Sequence, residues 1–277
     1  MEIQEFIRLA IQEDVGSGDH TSLSCIPENT LSKARLLVKD EGILAGLEIG
    51  ILVLKTFDPS LIVEQILVDG TFVKKGEVAF TVEGSARSIL TAERLCLNIM
   101  QRMSGIATTT HQLVKKLEGT HCKLLDTRKT TPLNRWLEKE AVRIGGGSNH
   151  RFGLYDMIMI KDNHADYAGG ISAAIQRTKA YLKAQNLQLK IEVETRNLEE
   201  VQEVLQNLPV DRIMLDNFTP DRIREAIRLI NGRCETEASG GITSETIRDY
   251  ALTGVDYISV GALTHSVKSF DLSLKAF

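Results

Sequence analysis

The chain has 277 residues, of which 43% are hydrophobic and 25% are charged, and its formal net charge is −4. This composition is typical of a folded globular protein and argues against a disordered chain. The slight negative charge disfavours a nucleic-acid-binding protein with a broad positive face, and no stretch approaches the roughly twenty apolar residues of a membrane span.

The cysteines indicate a reducing compartment. There are four of them, at Cys25, Cys96, Cys122 and Cys234, and no two form a C-x-x-C pair. No secretory leader is recognisable ahead of them. We therefore expect reduced thiols in a cytoplasmic protein that has neither membrane nor nucleic-acid partners.

The first hundred residues predict a small α+β unit. Residues 2–12 carry apolar side chains at helical spacing, and a glycine-rich loop ends this predicted helix. Short strand-like runs with hairpin turns follow at 34–38, 66–68 and 78–82. We expect an N-terminal α+β sandwich domain, rich in hairpins, over residues 1–105.

A further helix is predicted over residues 88–103, and Arg94 interrupts its apolar positions. Two interpretations of this arginine stay open. It is either a surface side chain beside Glu93, with its stem lying along apolar neighbours, or an arginine offered to a neighbouring site, for example on another subunit.

Residues 106–277 predict a parallel α/β domain, because strand-like apolar runs alternate with helical patterns. The predicted strands end at Asp126, Lys161, Glu194, Asp216, Ser239 and Gly261. A complete eight-fold barrel takes about 250 residues. We therefore predict an incomplete, TIM-like parallel α/β barrel, with a last helix that can pack back on the N-terminal domain.

The predicted strand ends carry side chains that bind anions and cations. Carboxyl ends of parallel strands gather at one rim, where α/β proteins place their ligands. Basic groups that can hold carboxylate or phosphate come first along the chain, at Arg128, Lys129, Arg151 and Lys161. Glu194 and Asp216 can accept hydrogen bonds from sugar hydroxyls or hold Mg²⁺ through water.

Two glycine-containing loops follow the last predicted strands. They are Ser239-Gly240-Gly241 and Gly261-Ala262. A lone pair of glycines usually marks only a turn. Two such loops at adjacent strand ends, opposite a basic cluster, instead favour a phosphate held by backbone N–H groups.

The remaining motifs have simpler interpretations. The glycines at 145–147 are expected to end a helix over 136–144 and to turn the chain back toward the rim. The histidines at His150, His164 and His265 do not have a recognised zinc spacing, so no structural metal is predicted.

Eight segments together resemble one enzyme family. They are A-E-R-L-C-L-N (92–98), D-T-R-K-T-T-P (126–132), E-K-E-A-V-R-I-G-G-G-S-N-H-R (138–151), I-K-D-N-H (160–164), E-V-E (192–194), M-L-D-N (214–217), A-S-G-G-I (238–242) and S-V-G-A-L-T-H-S (259–266). No single motif is specific, but the combination resembles quinolinate phosphoribosyltransferase along nearly the whole chain.

The resemblance implies a reaction and an assembly. The reaction is that of nicotinate-nucleotide pyrophosphorylase (carboxylating) in NAD biosynthesis, between quinolinate and phosphoribosyl diphosphate with Mg²⁺. The implied fold is a hairpin-rich N-terminal domain with an incomplete barrel. The implied assembly is a homodimer in which Arg94 is lent across the interface, and this would decide between the two interpretations of Arg94.

The resemblance also implies roles for individual residues. It places the pyridine dicarboxylate against the basic side chains, the diphosphate against Lys129 and Lys161, and the ribose hydroxyls and Mg²⁺ against Glu194 and Asp216. Catalysis is thus implied for Lys129, Lys161, Glu194 and Asp216. The implied substrate-binding set is Arg94, Thr127, Arg128, Lys129, His150, Arg151, Lys161, Glu194, Asp216, Ser239, Gly240, Gly241, Gly261, Ala262 and His265.

The chain departs from the family pattern in one loop. The family commonly has Pro-Gly-Leu-Arg after the paired threonines, whereas this chain has Pro132-Leu133-Asn134-Arg135. The backbone of this loop can therefore differ. Ile144 also stands where a cysteine is common, but neither change removes an implied ligand.

Three other functions remain as alternatives. A phosphoribosyltransferase for nicotinate would share the site, but the excess of carboxylate anchors argues against a monocarboxylate. A Schiff-base aldolase would use Lys161 as its nucleophile, although the cationic neighbours of that lysine serve no carbonyl chemistry. A non-catalytic anion-binding protein would need neither Glu194 nor Asp216.

Overall fold

The computed structural model describes residues 2–277, which form two compact units. The first unit comprises the chain as far as His111 together with Trp136–Gly146 and Ser266–Phe277. The second comprises Gln112–Arg135 and Gly147–His265. The sequence predicted a single boundary between residues 105 and 106, whereas the chain passes between the units four times.

The elements as far as residue 116 are, in order, α1 (Ile3–Val15), α2 (His20–Cys25), β1 (Leu31–Val38), β2 (Gly42–Ile43), α3 (Leu47–Phe57), β3 (Ile62–Gln65), β4 (Phe72–Val73), β5 (Val78–Ser85) and α4 (Ala86–Lys116). The later elements are β6 (Lys123–Leu125), α5 (Arg135–Ile144), β7 (Ile158–Ile160), α6 (Asp162–Ala168), α7 (Ile171–Gln185), β8 (Ile191–Thr195), α8 (Leu198–Gln206), β9 (Arg212–Asp216), α9 (Pro220–Ile230), β10 (Glu235–Ser239), α10 (Ile247–Ala251), β11 (Tyr257–Ser259), α11 (Ala262–His265) and β12 (Leu272–Ala276).

The first unit is built on a four-stranded antiparallel sheet in the order β12-β1-β5-β3. The last element of the chain is therefore a strand, and the helix expected there is wrong. Leu272 and Leu274 are buried on either side of the half-buried Ser273, which is the alternation of a strand with one covered face. In register, Leu272 pairs with Val38 of β1.

The strand predicted at 66–68 lies earlier, at β3. The N–H groups of Ile66 and Leu67 both donate to the carbonyl oxygen of Ala79, so the ladder with β5 ends in a bend at this point. Ile66 and Val68 are consequently exposed although they are apolar. An apolar run alone could not distinguish this bend from a strand.

The second unit is built on a six-stranded parallel sheet in the order β6-β11-β10-β9-β8-β7. Within this sheet, β6 comes first along the chain and pairs with β11, which comes last. Leu125 on β6 also forms a parallel bridge with Ser148. No described residue continues the ladder beyond β7, so the sheet curls round without closing. The prediction of an incomplete parallel α/β barrel is confirmed.

The inner face of this barrel is unusually polar. The two faces of each strand alternate, and Val193, Ile213 and Ala238 form the fully buried apolar face. The opposite face carries Glu192 and Arg212, which are paired in register. Charged side chains therefore lie inside the barrel, below the rim where the strands end.

Among residues 2–277, no helix is long and apolar enough to span a bilayer. The longest one, α4, carries charged and other polar residues at intervals along its length.

Candidate active site

A cavity of about 700 Å³ opens at the carboxyl ends of the barrel strands. Every residue that lines it belongs to the second unit. The lining includes all but one of the residues that the sequence assigned to substrate, namely Thr127, Arg128, Lys129, His150, Arg151, Lys161, Glu194, Asp216, Ser239, Gly240, Gly241, Gly261, Ala262 and His265. The structure thus brings together residues that are up to 138 positions apart in the sequence, from 127 to 265.

The exception is Arg94. It is exposed on α4, in the part of the helix that belongs to the first unit. Its role as an arginine lent to another subunit remains a prediction.

One wall of the cavity is basic. Arg128 and Lys129 follow β6, and Arg151 follows the bridge at Ser148. The guanidinium of Arg151 donates to the carbonyl oxygen of Met157 at 3.1 Å, which fixes its direction. Burial lowers the pKa of Arg151, and repulsion from Arg128 lowers it further. Two guanidinium groups that repel each other in a cavity form a site for an anion.

Lys161 lies where β7 ends and α6 begins. Its Nζ is 3.0 Å from Oε2 of Glu194, at the end of the neighbouring strand β8. Its backbone N–H donates to Nδ1 of His164 at 3.0 Å. His164 therefore caps α6 rather than lining the cavity. The side chain of Lys161 is about half exposed, so an incoming ligand can reach it.

Two carboxylates face the basic wall. Burial raises the pKa of Asp216, and the neighbouring charge of Glu194 adds to the effect. Nδ2 of Asn217 donates to Asp216 at 2.6 Å. Two acidic groups that repel each other fit a hard divalent cation such as Mg²⁺, provided that water or phosphate oxygens complete its coordination. Glu194 and Asp216 are therefore suited to hold Mg²⁺.

The glycine loops complete the rim. Gly240 has a φ of +94°, and a Cβ added there would lie 2.6 Å from Cγ of Asn217. A Cβ on Gly261 would lie 2.9 Å from Cδ of Lys129, whose carbonyl oxygen accepts a hydrogen bond from Thr264 at 2.8 Å. Side chains at these positions would fill the loops, so the glycines leave their backbone N–H groups open to a ligand.

The floor of the cavity is built around His150, which is only 8% exposed. Its backbone N–H donates to Oδ1 of Asp126 at 2.9 Å, and Nδ2 of Asn149 donates to Oδ2 of the same carboxylate at 2.6 Å. Asp126 is fully buried where β6 ends. It thereby holds the turn that carries His150 to the rim.

Both ring nitrogens of His150 are in contact with the protein. Nδ1 accepts the backbone N–H of Arg151 at 2.7 Å. Nε2 lies 2.9 Å from Oε2 of Glu192 and 3.4 Å from Oε2 of Glu237. Nη1 of Arg212 lies 2.8 Å from that same oxygen of Glu237. The imidazole therefore ends a chain of buried ionisable groups that runs down the inside of the barrel.

This buried cluster retains a proton near neutral pH. Nδ1 of His150 accepts the Arg151 N–H, so this nitrogen is unprotonated and the ring is a neutral imidazole with its proton on Nε2. Burial raises the pKa of Glu192 to about 7, and the charge of Glu237 adds to it. The retained proton therefore belongs to the carboxyl group of Glu192.

The same three side chains have the composition of a metal site, since His150, Glu192 and Glu237 offer ligand atoms within 4.8 Å of one another. Arg212 argues against this use. Its guanidinium already balances Glu237 at 2.8 Å and lies over the ring of Tyr257 at 3.9 Å. We interpret the group as an ion-pair cluster.

The sequence analysis missed these inward-facing residues, which are Asp126, Glu192, Arg212 and Glu237. A signal was present, because E-V-E at 192–194 and E-T-E at 235–237 place acids at every second position of buried strands. This spacing puts both acids of each pair on one face of the strand.

The loop that departs from the family pattern keeps a glycine-like backbone. Leu133 has a φ of +65°, in the left-handed region that glycine favours, and its side chain is 75% exposed. The nearby Arg135 donates to Oγ1 of Thr130 at 3.0 Å and to the carbonyl oxygen of Phe152 at 3.1 Å. The loop therefore accommodates leucine at the cost of backbone strain.

Comparisons with known proteins identify the family. A family model for the N-terminal domain of quinolinate phosphoribosyl transferase matches residues 19–104, and the model for its C-terminal domain matches residues 106–275. The chain belongs to the quinolinate phosphoribosyltransferase family. The resemblance that the sequence motifs indicated is confirmed.

Individual members of the quinolinate phosphoribosyltransferase family match over nearly the whole chain. Nicotinate-nucleotide pyrophosphorylase [carboxylating], chloroplastic, from Arabidopsis thaliana is 47% identical over 99% of this chain and 82% of its own length. The probable nicotinate-nucleotide pyrophosphorylase [carboxylating] of Bacillus subtilis is 43% identical over 99% of this chain and 93% of its own. The crystal structure of NadC from Streptococcus pyogenes is 40% identical, covers 99% of this chain and 97% of that one, and superposes with a TM-score of 0.93.

Proposed function

We propose that this protein transfers the phosphoribosyl group of phosphoribosyl diphosphate to quinolinate and removes a carboxylate, giving nicotinate mononucleotide, diphosphate and CO₂. One observation carries the proposal. A single cavity holds four basic side chains, two carboxylates and two glycine loops, which are the groups that a dianionic acid, a sugar and its phosphates require. The names of the relatives point to the same reaction.

The basic wall has to assemble two anionic substrates. Quinolinate is a dianion and phosphoribosyl diphosphate is more highly charged, so both need positive charge to share one cavity. Arg128, Arg151 and Lys161 anchor the two carboxylates of quinolinate, with the arginines binding in two-point fashion. The partner subunit's Arg94 supplies a further anchor in a homodimer. Glycine loops at 239–241 and 261–262 hold the 5′-phosphate, with His265 beside them.

The sugar carbon reacts by dissociative displacement. The bond from C1 to diphosphate breaks as an oxocarbenium-like centre develops, and the pyridine nitrogen attacks C1 from the opposite face. Lys129 and Lys161 stabilise the charge that grows on the leaving oxygens. Glu194 and Asp216 hold the ribose hydroxyls. When Mg²⁺ is bound by these two carboxylates through water, it offsets further charge on the diphosphate.

Decarboxylation follows from the product of the first step. The ribosylated pyridine nitrogen is cationic, so it accepts the electron pair released when the 2-carboxylate leaves as CO₂. Carbon 2 then takes up a proton. Substrate chemistry supplies the electron sink, and the protein contributes positioning and charge stabilisation.

Product analysis tests the proposal. The purified protein is incubated with phosphoribosyl diphosphate, Mg²⁺ and either quinolinate or nicotinate, and nucleotides are identified by mass spectrometry. We expect nicotinate mononucleotide from quinolinate and none from nicotinate, with loss of product when Mg²⁺ is removed by a chelator. Product from nicotinate alone would move the function to the monocarboxylate enzyme, and no product from either acid would refute a phosphoribosyltransferase.

A cytoplasmic location is also proposed, on the grounds of the widely spaced cysteines. Cys96 and Cys122 are buried, and burial raises the pKa of each thiol to about 12, so both are unreactive at neutral pH. Titration of the purified protein with a thiol reagent before and after unfolding would show four free thiols if this proposal holds.

A further inference from the structure

The buried ion-pair cluster of His150, Glu192, Glu237 and Arg212 suggests a role for acidic residues that are not part of the cavity's basic wall. Glu192 is fully buried on β8, and its Oε2 lies 2.9 Å from Nε2 of His150. Neither carboxyl oxygen of Glu192 forms a well-aligned hydrogen bond among the described residues, so this approach is a close polar contact. A buried carboxyl group is costly unless its contacts compensate for lost hydration. The contact with His150 is therefore the interaction that explains its presence.

The other ring nitrogen of His150, Nδ1, connects the ring to Arg151, which lines the cavity. Nδ1 accepts the backbone N–H of Arg151 at 2.7 Å, so the orientation of the ring fixes the start of the Arg151 side chain. The far end of this side chain donates to Met157. Rotation of the imidazole would remove the acceptor for the Arg151 amide and release the guanidinium from the basic wall.

Other charged groups around the ring set its tautomer. From β10, Glu237 lies 3.4 Å from Nε2; from β9, Arg212 lies 2.8 Å from Glu237; from the end of β6, Asp126 accepts the His150 amide at 2.9 Å. The carboxylates of β8 and β10 both face Nε2, and an amide N–H faces Nδ1. This pattern favours a ring whose proton is on Nε2 and whose Nδ1 is an acceptor.

We propose that Glu192, supported by Glu237 and Arg212, is a positioning residue that holds the imidazole of His150 in one tautomer and thereby holds Arg151 in place for a pyridine carboxylate. The proposal rests on the proposed function for the identity of the acid. Its structural part, the locking of His150 by Glu192, does not depend on catalysis.

Substitution of Glu192 separates positioning from general stability. Glu192→Met keeps the length of the side chain and removes the acceptor, whereas Glu192→Gln keeps an acceptor oxygen. We expect E192M to raise KM for quinolinate by about tenfold or more, because the imidazole loses the carboxyl group that faces Nε2, and to leave KM for phosphoribosyl diphosphate within about twofold. E192Q should recover most of the quinolinate affinity.

Glu235 provides the matched control. It lies two residues before Glu237 on the same face of β10, at the amino end of the strand and away from the rim, where it contacts Arg212 at 3.0 Å and accepts a hydrogen bond from the Tyr257 hydroxyl at 3.1 Å. Glu235→Gln should leave both KM values unchanged. Equal losses in E192M, E192Q and E235Q, affecting both substrates, would overturn the proposal and assign the cluster to stability alone.

The decisive measurement uses the ring nitrogens directly. The full-length protein, labelled with ¹⁵N-histidine, is compared with E192M and E192Q at neutral pH by NMR, and the His150 signals are assigned from their absence in His150→Gln. We expect a wild-type ring protonated at Nε2 and unprotonated at Nδ1, a mixture of tautomers in E192M and the wild-type pattern in E192Q. Unchanged His150 signals in E192M would overturn the proposal.

The two proposals fail in distinguishable ways. If the wild type forms no nucleotide from quinolinate but its His150 signals depend on Glu192, the proposed function fails and the positioning role stands. If the wild type turns over quinolinate, and E192M has wild-type KM values and His150 signals, the positioning role fails and the proposed function stands.

Discussion

Arg151 lies in the cavity beside a second guanidinium group. It is part-buried, its neighbour Arg128 repels it, and its guanidinium is directed by a backbone carbonyl. Repulsion between two part-buried groups of like charge destabilises the folded protein unless an anion lies between them. The repulsion therefore indicates that an anion completes the site.

Removal of Arg151 should abolish turnover without unfolding the protein. We expect Arg151→Ala to lower kcat/KM for quinolinate by about a hundredfold or more, since a lost charge-stabilising donor costs on the order of 3 kcal/mol. Arg128→Ala and Lys161→Ala should behave similarly. Arg143→Ala is the matched control, because Arg143 is exposed and pairs only locally with Glu140. Steady-state kinetics with circular dichroism would check this, and wild-type kcat/KM in any of the three would remove that residue from the site.

The buried carboxyl group of Glu192 predicts a dependence of stability on pH. Burial raises its pKa from 4.5 to about 7 in the folded protein. The folded state therefore holds this proton more tightly than the unfolded chain, so the stabilisation is fully present below about pH 4.5 and is lost as the pH rises through 7. We expect the difference in free energy of unfolding between wild type and Glu192→Gln to shrink over this range. Denaturant unfolding at several pH values measures it, and a constant difference would contradict the raised pKa of Glu192.

Many residues of the cavity lining could be predicted from the sequence, whereas Glu237, which also lines the cavity, and the buried groups behind it were missed. Basic and acidic residues at strand ends could be assigned because parallel strands bring their ends to one rim. Asp126, Glu192 and Glu237 could not be assigned in the same way. Their role depends on which face of a strand points inward and on the partner that meets them there, and both are set by tertiary packing.

The length of α4 shows that packing can extend a helix beyond the residues for which the sequence pattern predicts it. The predicted helix stopped at residue 103, before a stretch with a glycine and three threonines, but α4 continues to Lys116. Gly105 is enclosed, since an added Cβ would collide with the backbone of Lys268. Oγ of Ser104 accepts a hydrogen bond from the backbone N–H of Ala45. These residues therefore allow close packing along the helix rather than ending it, which propensity alone does not reveal.

Substitutions of glycine in the loop after β10 and in a distant loop should separate backbone strain from phosphate binding. Gly240→Ala should raise KM for phosphoribosyl diphosphate by about tenfold or more, because the new Cβ displaces Asn217 and the loop that faces the phosphate. Gly232→Ala is the control, since its φ of +70° carries similar strain but no atom lies within 4 Å of the added Cβ. Steady-state kinetics compares the two variants. Equal KM values in both would refute the phosphate role of this loop.

For the molecule as a whole, the sequence predicted the fold class and the family more securely than the division of the chain. Alternating patterns and the length after residue 105 were sufficient to predict an unclosed barrel. The return of Trp136–Gly146 and of β12 to the first unit was not predictable, because it depends on contacts between segments over a hundred residues apart.

Subunit mixing tests the predicted homodimer. Arg94→Ala and Lys161→Ala should each be nearly inactive alone. If Arg94 acts on the partner's site, a mixed dimer has one intact site, so an equal mixture should recover roughly a quarter of wild-type activity, as half the dimers are mixed. The activity is measured after the two variants are unfolded and refolded together. Absence of any recovery from two inactive variants would place Arg94 in its own subunit's site, and full activity of Arg94→Ala alone would place it outside the reaction.

In the proposed reaction, one cavity couples phosphoribosyl transfer to loss of a carboxylate. The coupling is measured as the simultaneous release of diphosphate and of ¹³CO₂ from quinolinate labelled in the 2-carboxylate, with purified protein, phosphoribosyl diphosphate and Mg²⁺. If the two steps are coupled, diphosphate and labelled CO₂ appear in equal amounts at all times after the first turnovers. Diphosphate without labelled CO₂, or release of neither, would refute the coupling.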